Sequence, residues 1–419
     1  ARQTRLIRQI ALLSGLVVVG MVMPLLGQTA GLAQMSLEEL MDIEVTTVAR
    51  KKQPLLAAAA SVAVLTAEDI RRSGARTLPD ALRLVPGVHV ARIDGSKWSV
   101  TARGFGGQFA NKLLVLIDGR SVYTPLFGGV FWDLQDLLME DVERIEVIRG
   151  PGAVQWGANA VNGVINVITN PASALQDNLL AARGGYRSEV VGAHGGRRGS
   201  TSYRLYGKFF DTPAGTDSSG IRSADTQRMW RGGVRLDGGS DRSQLMLQAG
   251  LYGGETTQTF HEAAYSLLPP YRRTFATQTD LGGGHVLGRW TTNAVAGEAQ
   301  IQVSADHTRR RDDVDIRENR TTVDVDVQHR LPLGRNELVW GLGYRVTRDE
   351  LDSTFVLRVA EPRRIDVLLS LFAHDEIDLL HERLRLSLGL KVEHNPYTGM
   401  EVQPDARLLW LPRPGHAAW

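Results

Sequence analysis

The chain of 419 residues contains no cysteine, which removes disulfide frameworks, thiolate metal sites and cysteine nucleophiles together. Net charge is nearly absent too: 48 basic and 46 acidic residues leave a formal +2, with the two signs interleaved, so no basic surface points to nucleic acid. Signatures of catalysis are equally scarce. Gly150-Pro151-Gly152 and Gly157 are not followed by the Lys-Ser or Lys-Thr that a phosphate-cradling loop requires. His261-Glu262, His374-Asp375-Glu376 and His381-Glu382 lack the two-histidine helical spacing of a zinc protease. No Gly-x-Ser-x-Gly elbow occurs between residues 53 and 172. An enzyme, a metal site and a bound cofactor are therefore not expected.

What is present begins with Arg2, Arg5 and Arg8, followed by an uncharged run from Ile10 to Leu26 and the small residues Ala30-Gly31-Leu32-Ala33. This pattern is a secretory signal peptide over residues 1–33, with cleavage expected after Ala33. A single N-terminal membrane helix is the alternative, although Pro24 and the shortness of the run oppose it. Residues 34–52 follow as a periplasmic segment in which Ile43, Glu44, Val45, Thr46, Thr47 and Val48 form a β-prone hexamer.

Residues 53–172 mix short helices and strands. Thr66 with Asp69, and Thr77 with Asp80, give two capping signatures closed by Gly74 and by Pro86-Gly87. Apolar strands are expected at Leu113 to Ile117, Arg144 to Ile148 and Gly163 to Ile168, making a small α+β domain. From about Leu179 onward the pattern becomes period two. Leu384, Leu386, Leu388, Leu390 and Val392 alternate with Arg385, Ser387, Lys391 and Glu393, and Val323, Val325 and Val327 alternate with Asp324, Asp326 and Gln328. Segments of roughly ten residues with one apolar and one polar face mark a transmembrane β-barrel, and a soluble β-sandwich is the competing reading.

Three blocks then carry a resemblance. They are Ile117-Asp118-Gly119-Arg120, Ile145 through Arg149-Gly150-Pro151, and Trp156-Gly157 through Gly163 to Thr169, with Arg103-Gly104-Phe105 upstream. Together they resemble the plug domain of TonB-dependent outer-membrane receptors, specifically over Ser36 to Pro171 and diffusely beyond. The resemblance implies a transporter whose residues 173–419 form part of a transmembrane barrel. About twenty residues per strand and connection give roughly a dozen strands, and twelve would close a barrel about 24 Å across, too narrow for a plug about 35 Å in diameter, whereas about twenty-two give about 44 Å. With Trp419 opening a new strand after Pro412-Arg413-Pro414, the chain reads as about half of a 22-stranded barrel.

The resemblance also assigns roles. Ile43 to Val48 would be the box that TonB captures as an added strand in the periplasm. Arg103 and Arg149 would latch the plug to acidic barrel groups, the alternative being that Arg149 pairs inside the plug with Glu146. Asp118, Gly119, Arg120, Gly150, Pro151, Gly157 and Gly163 are read as motif turns. Tyr123, Phe127, Phe131 and Trp132 lie on a loop that either faces ligand or packs on the barrel wall. The ligand would be a ferric siderophore or similar chelate, with cobalamin, nickel chelates and glycans entering family members by the same device. A Gram-negative outer-membrane location, contact with outer-membrane lipid and a monomeric state complete the expectation. A truncated, non-transporting binding module is the alternative.

Overall fold

Alternation in the first domain builds a sheet with two buried faces. The computed structural model describes residues 44–47, 50–51, 53–104, 106–150, 156–157, 160–216, 220, 222–263, 272–293, 296–380, 383–413 and 416–419. The signal peptide expected at 1–33, residues 34–43, and Val48, Phe105 and Pro151 lie outside them.

The elements run β1 (Glu44–Val45), β2 (Gln53–Pro54), β3 (Val62–Thr66), α1 (Ala67–Ser73), α2 (Leu78–Leu82), β4 (Val88–Arg92), β5 (Trp98–Ala102), β6 (Leu113–Ile117), β7 (Arg120–Ser121), β8 (Val142–Arg149) and β9 (Gly163–Thr169). A five-stranded sheet has the order β3-β8-β9-β6-β7, with β6 and β9 parallel, while β1-β2 and β4-β5 are separate antiparallel pairs. Thr66 and Asp69 form the reciprocal capping box, and Gly74 closes α1 at φ 69°. Helix α2 stops at Leu82, short of the expected Pro86-Gly87.

Successive strand residues point to opposite faces. Leu65, Val115, Ile145, Val147, Ile165 and Val167 therefore join α1 and α2 in one apolar cluster. Leu114, Leu116, Ile148 and Val164 form a second cluster on the other face, covered by Val45 and Ala58.

The remaining strands are β10 (Asn178–Arg183), β11 (Ser188–Arg198), β12 (Thr201–Thr212), β13 (Gln227–Ser240), β14 (Ser243–Ala263), β15 (Arg272–Thr292), β16 (Glu298–Arg311), β17 (Arg317–Leu333), β18 (Asn336–Asp352), β19 (Arg363–Asp378), β20 (Leu384–Asn395), β21 (Gly399–Arg413) and β22 (His416–Ala418). They pair antiparallel in sequence order as one 13-stranded sheet. Strand β21 runs through Pro412, where the sequence suggested a turn.

Leu245, Leu247, Leu251, Val303, Trp340, Leu342 and Leu371 are exposed on the outer face. Gln302, Ser304, Ser387, Lys391 and Glu393 are buried on the inner one, toward the first domain. A soluble sandwich buries its apolar face, so this inversion discards that reading. Connections at one end are as short as residues 241–242 and 334–335, whereas at the other end they lengthen to 213–226 and 353–362.

Candidate functional site: the plug seat and the stowed segment

The turn at the end of β6 is the first contact between the domain and the wall. Asp118 adopts φ 51°, and its carboxylate accepts from the Thr169 amide at 2.9 Å and the Thr169 hydroxyl at 2.7 Å, tying β6 to β9. Gly119 at φ 80° sits so close to the wall that an added Cβ would meet Gln302 and Arg289 at 3.0–3.1 Å. Arg120 then reaches Asp306 on β16 at 2.6 Å. At Gly157, a Cβ would approach Lys391 Nζ of β20 at 2.8 Å. Gly150 and Gly163 serve the domain's interior, beside Arg103 and the Ile148 carbonyl respectively.

The densest ionic contact comes from the stretch between β7 and β8. Asp133 pairs with Arg310 at 2.5 Å, Asp141 with Arg204 at 2.8 Å, and Glu140 with Arg183. Asp136 lies among three barrel cations: Arg187 at 2.7 Å, Lys208 at 2.9 Å and Arg231 at 3.9 Å. All four groups are nearly or wholly buried. Burial pushes the Asp136 carboxyl up, but the three cations outweigh it and hold it at about 2.

A carboxyl held below its ordinary 3.8 contributes stability that is intact above that value and lost as pH falls through about 2. Protease resistance of the seated domain should therefore include a step between about pH 4 and pH 2 that Asp136→Asn removes; an unchanged acid profile in that variant would contradict the assignment. Sequence reasoning missed this seat. Its only signal was the spacing of Asp133, Asp136, Glu140 and Asp141, which without the wall reads as a solvated acidic face.

Arg103 and Arg149 are placed differently from the expectation. Arg103 is exposed, and its guanidinium faces the Arg149 carbonyl at 3.5 Å; Arg149 donates to the Pro86 carbonyl at 3.0 Å. These bonds stay inside the first domain. Nor does Arg149 pair with Glu146. The two are three residues apart on β8, which puts their side chains on opposite faces.

Glu146 instead meets the N-terminal segment. Completely buried, it accepts from the amides of Thr46 at 2.9 Å and Thr47 at 2.8 Å, and from both threonine hydroxyls. Glu44 and Val45 pair with Gln53 and Pro54, and Val45 is fully buried in the second cluster. Trp156 donates to the Thr47 carbonyl at 2.7 Å, and Asn166 to the Thr47 hydroxyl at 3.1 Å. Just beyond, Arg50 lies between the Trp156 and Phe372 rings, 4.4 and 4.5 Å from their centroids, and pairs with Asp326 at 3.0 Å. Lys51 bridges Glu337 at 2.7 Å and Glu376 at 3.1 Å. Both glutamates lie at the short-turn end of the sheet.

The aromatic loop meets the opposite end. Phe127 packs edge-on against Phe109 and Phe131, each centroid 5.0 Å away, and Arg310 stacks on Phe131 at 4.3 Å. Phe109, which the sequence reading did not select, is half exposed, as Phe127, Phe131 and Tyr123 partly are. Trp132 takes up neither of the expected places, facing ligand or packed on the barrel wall: it is buried in the first cluster with Val115 and Val130. Between the second face of the domain and the wall lies a polar cavity of about 940 Å³, lined by Arg144, Asp118, Arg235, Arg289, Asp326 and Lys391 among others.

An α+β plug seated by ion pairs against the polar face of a barrel sheet, with an extended segment stowed at the short-turn end, is the architecture of a plugged outer-membrane receptor. Residues 54–164 match the TonB-dependent Receptor Plug Domain family. The vitamin B12 transporter BtuB of Vibrio vulnificus is 34% identical over 146 residues, spanning 34% of this chain and 23% of that relative. Crystal structures of the siderophore receptor PirA share the fold. The Pseudomonas aeruginosa protein gives TM-score 0.63 at 20% identity over 84% of this chain and 59% of that one; the Acinetobacter baumannii protein gives 0.65 at 16% over the same shares. A variant of the ferric enterobactin receptor PfeA from P. aeruginosa, solved with enterobactin, gives 0.64 at 20% over 85% and 61%. Residues 54–164 therefore carry a plug domain of the TonB-dependent receptor family, and the chain spans about a quarter of the length of the curated relative it matches.

Proposed function

We propose that the chain is the plug and neighbouring barrel strands of an active importer in a Gram-negative outer membrane, exported by the 1–33 leader and energised through TonB. The observation that carries this reading is the segment Glu44 to Thr47, a strand at Glu44–Val45 that turns at Thr47, docked on the plug at the short-turn, periplasmic end, where a partner could add it as a strand to its own sheet. The outer apolar face would meet lipid, and a single copy would suffice. At the opposite end Phe109, Phe127 and Phe131 offer aromatic surface to an arriving flat ligand. A ferric siderophore is the ligand class favoured by the structural neighbours' own ligands, and cobalamin is the alternative suggested by the sequence relative.

Uptake of radiolabelled ferric siderophores and cobalamin by cells making the full-length receptor discriminates the two. Val45→Pro is expected to abolish energised uptake while leaving surface binding nearly unchanged, because proline cannot donate to an added strand. Normal uptake by that variant would eliminate the segment as the coupling site. Surface binding with no uptake by the parent would favour a binding module.

A further inference from the structure

Glu146 is an expensive residue to bury, and its donors reveal what it is buried for. The side chain is fully inaccessible on the face of β8 that carries Ile148, with Val64 and Asn166 opposite it on the neighbouring strands. A carboxylate there needs several donors to offset its lost hydration. Within the folded sheet it has one ion pair, Arg144 at 2.9 Å. Among the described residues, every other donor comes from a point about a hundred positions away in sequence: two consecutive backbone amides and two hydroxyls of Thr46 and Thr47.

We infer that Glu146 is a clasp that stows the coupling segment by gripping its main chain, so that the segment stays unavailable to a periplasmic partner until the clasp opens. This rests on the reading of residues 43–48 as the coupling segment. Amides are the groups an added strand must offer, and here those of Thr46 and Thr47 are already engaged on the carboxylate. Val45 is fully buried beside them. The same contact makes release unfavourable from the plug's side, because withdrawal strips Glu146 of the amides and hydroxyls of Thr46 and Thr47 and leaves it its Arg144 pair. Since the grip is on amides, it tolerates side-chain changes at 46, whereas proline there removes a donor outright.

These 419 residues hold no cysteine, so a thiol introduced among them reports its own position once any cysteine elsewhere in the full-length receptor is replaced. In full-length receptor in outer-membrane vesicles without TonB, Val45→Cys is introduced as the single thiol and its reaction with a charged thiosulfonate reagent is timed. Slow labelling is expected in the parent, labelling about tenfold faster or more with Glu146→Gln, and near-parental labelling with Thr46→Ala. A thiol at Val100, buried in the opposite cluster, is timed in parallel and should stay closed. If Val100→Cys also opens in the Glu146→Gln background, the plug has loosened as a whole. Thr46→Pro, which leaves β8 intact, then decides: faster labelling at 45 with 100 closed supports the clasp, and an unchanged rate overturns it. Parental labelling with both Glu146→Gln and Glu146→Ala likewise overturns it. Crosslinking of the Val45 thiol to purified TonB is scored separately, so a segment that is released but never captured refutes the coupling reading and leaves the clasp standing.

Discussion

Asp136→Ala should loosen the plug by about 3–5 kcal/mol, the range typical of removing one partner from a buried ionic cluster. The variant leaves Arg187 and Lys208, both almost wholly buried, with Arg231 nearby and, among the described residues, Glu189 as their remaining carboxylate, itself already paired with Arg183. Buried cations left short of carboxylates in this way cannot be rehydrated without opening the seam. The readouts are passive leak of small solutes through the assembled receptor and protease cleavage of the plug.

The comparison that gives this weight is the double variant Arg103→Ala with Arg149→Ala. Each arginine contacts a plug carbonyl, and Arg103 is exposed, so the pair should cost less and leak less than the single aspartate change. Equal leak from Asp136→Ala and parent, with a leaking double arginine variant, would move the latch back to the arginines.

The second large effect is expected on the outer surface. Leu342 stands exposed in the middle of β18, between Val327 and Leu371 on the neighbouring strands. An arginine at the bilayer midplane of a barrel costs about 2–4 kcal/mol, so Leu342→Arg should sharply reduce the heat-modifiable, assembled form in membranes. Gln300→Arg, pointing into the polar cavity from β16, carries the same charge with no lipid contact and should assemble almost normally. Identical behaviour of the two variants would defeat the lipid-facing assignment of the exposed apolar band.

Much of this molecule follows from short-range rules. The capping box at Thr66 and Asp69 needs only a hydroxyl, a carboxylate and three residues of helix. Period-two alternation assigns Leu342 and Lys391 to opposite sides of one sheet because adjacent strand residues point apart. It also forbids a Glu146 to Arg149 pair, an inference available from spacing alone once the strand at 144–148 is recognised.

What spacing could not supply is which surfaces meet. Asp133, Asp136 and Asp141 look like solvated acids until barrel cations 51 to 177 positions away in the numbering close over them. Trp132 and Phe131 are neighbours with the same local preference, yet one fills the plug core and the other stacks under Arg310, because the packed body lies on only one side of the chain there. Glu146 is the sharpest case. The sequence by itself determined that it faces away from Ile145 and Val147; only the tertiary structure decided that Thr46 and Thr47 would be waiting there, since a buried carboxylate takes whichever donors the fold brings within reach and distance along the chain does not restrict them.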